Sequence, residues 1–83
     1  MTKDQIRQAV IDCLGDIAPE TDAGGIDPNA DLREALDIDS MDYLNFIIAL
    51  HERLSIDIPE PDYPQLLTVA GATQYAAGKL GVA

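Results

Sequence analysis

Ser40 lies between two carboxylates in the run Asp39-Ser40-Met41-Asp42, where a loop-like stretch gives way to a strongly apolar one. A hydroxyl at the head of a helix can share the N-cap, accepting a bond from an unpaired amide of the first turn. It can equally carry a phosphate, because free amides and the positive end of the helix dipole favour an anion there. Asp39 can supply the cap alone, which leaves the Ser40 hydroxyl to solvent. Other reactive groups are few. The chain has one cysteine, Cys13, and one histidine, His51. A Ser-His-Asp or Cys-His site would need His51 as its base, and nothing beside His51 supports that. Cys13 falls on an apolar stripe and reads as a small core residue, His51 as a packing or edge residue. Carboxylate pairs abound, but no apolar pocket surrounds them to raise one member's pKa. No catalytic residue is assigned, and the chain is not expected to be an enzyme.

Metal chemistry is the second class the residues suggest. Asp27-Pro28-Asn29-Ala30-Asp31 imitates the first half of a calcium loop, as in an acidic calcium-binding regulator. Counted from Asp27, however, Leu32 stands where the sharp turn needs glycine and Ile38 where a bidentate Glu belongs. One Cys and one His also exclude the common zinc sets. No metal ligand is assigned.

Charge limits the partners. In 83 residues there are 15 acids and 5 bases, a formal net charge of -10. Eight acids gather between Glu20 and Asp42 against one base, Arg33. Taken alone this is a solvated, solubility-giving surface; taken with position, it calls for a basic partner and disfavours nucleic acid and anionic membranes. The longest apolar run, Phe46 to Leu50, is too short for a membrane span or a signal-peptide core, so no membrane insertion and a cytoplasmic location are expected. Apolar residues still make up 47% of the chain, enough for one folded domain over 1–83.

The elements that position Ser40 follow from periodicity. Ile6, Val10, Cys13, Leu14 and Ile17 mark a first helix from Thr2 to about Asp16, opened by a Thr2/Gln5 capping box and closed by Gly15 and Pro19. Pro19 to Ile38 reads as a long packed loop with one helical turn near Leu32 to Leu36. The second helix, from Asp39 or Ser40 to Leu54, is expected to be central. Its inner face would hold Tyr43, Leu44, Phe46, Ile47, Ile48, Leu50 and Leu54; its outer stripe would hold Asp42, Asn45, Ala49, Glu52 and Arg53. Ser55 to Pro59 reads as an extended connector, and Pro61 to Leu66 as a single helical turn interrupted at Pro64. Thr68 caps a last helix through about Lys79, with Val69, Ala72, Ala76, Ala77 and Leu80 inward and Gly71 and Gly78 weakening it. The fold class is all-α: a small bundle of three principal helices plus one short helical turn, with a long loop between the first and second helices.

At this point a family is recognisable. Asp39-Ser40-Met41-Asp42, followed by Leu44, Phe46-Ile47-Ile48-Ala49-Leu50, Glu52, Leu54, Ile56, Ile58-Pro59, Leu66 and Thr68-Val69, resembles an acyl carrier protein over nearly the whole chain. A lone Asp-Ser pair is a weak signal; joined to this apolar pattern and its Ile-x-Ile-Pro ending it is a strong one. The resemblance implies 4'-phosphopantetheine, transferred from coenzyme A to Ser40 by a carrier-protein (phosphopantetheinyl) synthase, with Asp39 in synthase recognition. It also implies a monomer that presents thioester cargo to acyltransferase, ketosynthase or acyl-ligase type enzymes with basic docking surfaces. Asp39, Met41, Asp42, Asn45 and Glu52 would meet those partners, in fatty-acid, polyketide or a related specialised pathway. Departures narrow the subtype. Asn45 stands where fatty-acid carriers usually have Glu, Asp37 where glycine is frequent, and Met41 in place of the commoner Leu. The stretch Tyr63-Pro64-Gln65-Leu66 and the Ala-rich last helix are also unusual. Asp39 favours acyl over peptidyl carriers, while Met41 keeps a D-alanyl or other aminoacyl carrier open.

Overall fold

The computed structural model describes residues 1–20 and 22–82. Its α-helices are α1 (Lys3–Ile17), α2 (Leu32–Ala35), α3 (Ser40–Leu54) and α4 (Val69–Leu80), with 3-10 segments at Ala23–Gly25 and Glu60–Leu66. Among the described residues there is no strand. The all-α expectation holds, and three of the four α-helices are long enough to form the bundle.

Local signals set the helix starts. Thr2 and Gln5 form the reciprocal capping box of α1, with bonds of 2.8 and 3.2 Å. Asp31, Asp39 and Thr68 each accept a first-turn amide at 2.9 Å, from Arg33, Asp42 and Gly71. Each cap satisfies one orphan donor, worth typically about 1 kcal/mol. The ends use left-handed residues: Asp37 (φ 52), Ser55 (φ 54) and Gly81 (φ 71). At the first, the Ile38 amide reaches back to the Arg33 carbonyl at 3.1 Å, closing α2 in a Schellman arrangement. The helix α1 instead runs through Gly15 to Ile17, so Gly15 does not close it and Pro19 follows the cap at Ala18.

Packing corrects the expected hierarchy. The hub is α1, which packs against both α3 and α4, while α4 also covers the Glu60–Leu66 segment. Ile6, Val10 and Leu14 of α1 are fully buried with Phe46 and Leu50 of α3 and Ala72 and Ala76 of α4. Burying a large aliphatic or aromatic side chain contributes roughly 1.5–3 kcal/mol, so this shared core holds the bundle. With α3 at the side of the bundle, its lipophilic surface exceeds what its neighbours cover. Leu44 and Ile48, expected inside, are 36% and 44% exposed, beside Met41 at 64%. The opposite error occurs at Ala49 and Arg53. Ala49 packs on the core, and Arg53 turns to α1 to pair with Asp12 at 3.1 Å. Both partners of that pair are half-exposed, so it contributes about 0–1 kcal/mol.

Two further expectations change at the C-terminal half. The region around Pro64 is a seven-residue 3-10 segment instead of one turn, and Pro64 lies inside it. Leu80 is 37% exposed instead of inward. Gly71 has a positive reason to be glycine: a Cβ there would lie 2.5 Å from the Gln65 carbonyl oxygen, so its absence lets the segment rest on α4. Ile56 and Ile58 alternate into the core along the extended connector, as their spacing requires.

Candidate functional site

Asp39 and Ser40 stand at the N-terminus of α3, both exposed. Asp39 Oδ1 accepts the Asp42 amide, so the cap is taken and Ser40 Oγ points out of the helix. That hydroxyl is not alone in solvent. Arg33 Nη2 donates to Ser40 Oγ at 3.0 Å. The sequence marks Arg33 only as the lone base of an acidic stretch; its reach to Ser40 depends on the turn at Asp37, which folds α2 back beside the head of α3. Asp37 occupies a left-handed position that Asp tolerates better than most residues and glycine best of all.

The remaining candidates divide into two surfaces. Met41, Asn45 and Glu52 lie exposed along α3 and, with Leu44 and Ile48, form a mixed ridge leading away from Ser40. Asp42 is half-buried on the flank, where it lines an open groove of about 510 Å³ with Glu20, Leu36, Asp37 and Ile38. The ridge is thus more apolar, and the flank more acidic, than a single polar outer stripe.

Below the ridge α3 is pinned to the 3-10 segment. The Tyr43 hydroxyl donates to the Tyr63 carbonyl, and the Tyr43 ring packs 6.3 Å from Phe46. Burial pushes the Tyr43 phenol up to about 12, with the Asp31 charge adding and the Arg33 charge opposing. At the far end His51 Nδ1 contacts the Ile56 carbonyl. A carbonyl only accepts, so that nitrogen carries the ring proton. Cys13 is 2% exposed and burial raises its thiol, which makes it a core residue and a poor nucleophile.

The calcium-like stretch is committed elsewhere. Asp27 Oδ1 accepts the Asn29 amide at 2.9 Å and Asp31 caps α2, so each carboxylate closes a local turn. Among the described residues no three His, Cys, Asp or Glu side chains gather as a metal group.

The described residues thus form a small helical bundle with an exposed serine at a capped helix start. Comparisons with known proteins supply the class. A family model described as "Phosphopantetheine attachment site" matches residues 4–76. The acyl carrier protein of Picosynechococcus sp. is 31% identical over 78 residues, covering 94% of this chain and 90% of that protein. The acyl carrier protein of Chlamydia caviae is 29% identical, covering 95% and 96%. A solved structure of the acyl carrier protein from Enterococcus faecalis superposes with a TM-score of 0.79 at 20% identity, covering 95% of this chain and 99% of that one. The chain belongs to the acyl carrier protein family. Its members are carriers without catalysis of their own, bear covalently attached 4'-phosphopantetheine, and interact with biosynthetic enzymes. No helix among the described residues is long and apolar enough to cross a membrane.

The residues present fit that group. Ser40 is exposed, its hydroxyl is released from capping by Asp39, and the one side chain bonded to it, Arg33, is itself exposed and cationic, as an incoming phosphate requires.

Proposed function

We propose that Ser40 is the phosphopantetheine attachment residue and that the chain presents acyl thioesters from it to enzymes of fatty-acid, polyketide or a related specialised synthesis. The observation that carries this reading is the division of roles at the head of α3: Asp39 caps, and Ser40 keeps an exposed oxygen. Attachment forms a bond from Ser40 Oγ to the pantetheine-side phosphorus of coenzyme A. The pyrophosphate bridge breaks, 3',5'-adenosine diphosphate leaves, and the serine proton passes to a base on the synthase. The arm ends in a thiol that holds cargo, so the reacting group is the cofactor's and the protein supplies anchor and address. Tethering also raises the local concentration of cargo at each docked enzyme.

Docking is assigned to Asp39, Met41, Asp42, Asn45 and Glu52, joined by Leu44 and Ile48. The exposed apolar side chains supply contact area and the acids meet basic partners. A monomeric, cytoplasmic carrier suits these features. Incubation with coenzyme A, magnesium and a broad-specificity carrier-protein synthase should add one phosphopantetheine by intact mass, and Ser40→Ala should gain none. Modification of Ser40→Ala, or none of the wild type, would overturn the assignment.

A further inference from the structure

Arg33 is the one base among the eight acids from Glu20 to Asp42, yet it pairs with none of them. Among the described residues the sole ion pair within 4.0 Å is Arg53 with Asp12. The Arg33 guanidinium gives its bond to a neutral oxygen instead, Ser40 Oγ, at 3.0 Å. Five N–H donors make up a guanidinium, and the described hydrogen bonds of this one use a single nitrogen. Its backbone is held at both ends: the amide donates to Asp31 Oδ1 at 2.9 Å, and the carbonyl accepts the Ile38 amide at 3.1 Å. Leu32, its neighbour, is fully buried and donates its amide to the Leu67 carbonyl at 2.8 Å. The stem of Arg33 therefore rises from a fixed base beside the head of α3.

We propose that Arg33 is the counter-ion of the phosphodiester that joins the arm to Ser40. On modification, Oγ becomes an ester oxygen and a weaker acceptor, while two non-bridging oxygens that share one negative charge appear on the phosphorus bonded to it. A planar fork already at Oγ reaches those oxygens by a side-chain adjustment, and a charge-assisted bond to them replaces the neutral one. The added negative charge enters the most acidic part of the chain, where Arg33 alone offsets it. Modification thereby changes what holds α2 to α3, so that the loaded and unloaded proteins present different surfaces at the arm's root. This rests on Ser40 as the attachment residue.

The test uses the full chain, loaded with phosphopantetheine as wild type, Arg33→Gln and Arg33→Lys, each verified by intact mass. Phosphorus NMR should show the wild-type resonance displaced from that of Arg33→Gln, with Arg33→Lys between them. The displacement should shrink as salt is raised, since the pair is exposed. In the wild type, loading should shift the Arg33 guanidinium signals while those of Arg7 and Arg53 stay in place. Coincident phosphorus resonances in all three loaded proteins, with unmoved Arg33 signals, would overturn the proposal and leave Ser40 attachment standing. A wild type that accepts no arm would remove the attachment reading and this proposal with it.

Discussion

Asp39 caps α3 and Ser40, one residue on, stays exposed, and that separation is what a sequence can convey: capping depends on side-chain type and on the start of an apolar periodicity, both local. Arg33 escapes the same reading because its aim is set by the left-handed turn at Asp37 and the anchoring of Leu32, neither of which periodicity reports. Tyr43 is a third case. Its ring belongs to the inner face as the spacing requires, but its hydroxyl finds the Tyr63 carbonyl only once the 3-10 segment is in place. That burial has a pH signature. A free phenol ionises near about 10, whereas Tyr43 is pushed up to about 12. The folded state thus keeps a proton that the unfolded chain releases, so the contribution is intact below about 10 and is lost as pH rises through about 12. Urea midpoints followed through that window should fall less steeply in Tyr43→Phe than in the wild type. Tyr75, also raised to about 12, leaves part of the slope in place. A phenolate absorbance step at the ordinary pKa, abolished by Tyr43→Phe, would contradict the assigned burial.

At the scale of elements, helix existence and caps were legible because each rests on a few adjacent residues: the capping box, Asp39, Thr68 and the apolar spacings of α1. The faces of α3 were not, because a helical wheel ranks residues by hydropathy and contains no neighbour. Leu44 and Ile48 are apolar but uncovered; Arg53 is charged but turned to Asp12. The two α4 glycines show the same limit, since sequence alone treats both as weak points. Gly78 has nothing within 4 Å of an added Cβ, while Gly71 would place one 2.5 Å from the Gln65 carbonyl oxygen. Gly78→Ala should therefore stabilise by about 0.5–1 kcal/mol through helix propensity. Gly71→Ala gains the same propensity but must displace backbone, an overpacking cost of about 1–3 kcal/mol, so it should destabilise or at best break even. Urea denaturation of the two variants measures the contrast. Equal stabilisation by both would show that the 3-10 segment yields freely and does not rest on α4 at this point.

At the scale of the whole molecule, the proposed docking role joins the charge of -10 and the apolar ridge in one problem, namely how a carrier meets its enzymes and leaves each of them. Long-range attraction acts before contact and is cut off over roughly 10 Å at 0.1 M salt, so it governs encounter. Apolar contact acts after docking and governs release. On α3 the two are carried by different side chains: Glu52 is exposed and charged at one end, and Met41, Leu44 and Ile48 are exposed and apolar. With a carrier-protein synthase as the partner, Glu52→Lys should slow association several-fold at low salt, and the effect should fade by roughly 0.5 M as screening tightens. Ile48→Ala should leave association almost unchanged and speed dissociation by up to about tenfold, near the 1.4 kcal/mol expected of a modest interface contact, at either salt. Stopped-flow binding separates the two rates. If Glu52→Lys has no effect at low salt, Glu52 belongs to a solvated face; if Ile48→Ala changes neither rate, the ridge is not where this partner sits, and docking must be sought on the acidic flank around Asp42.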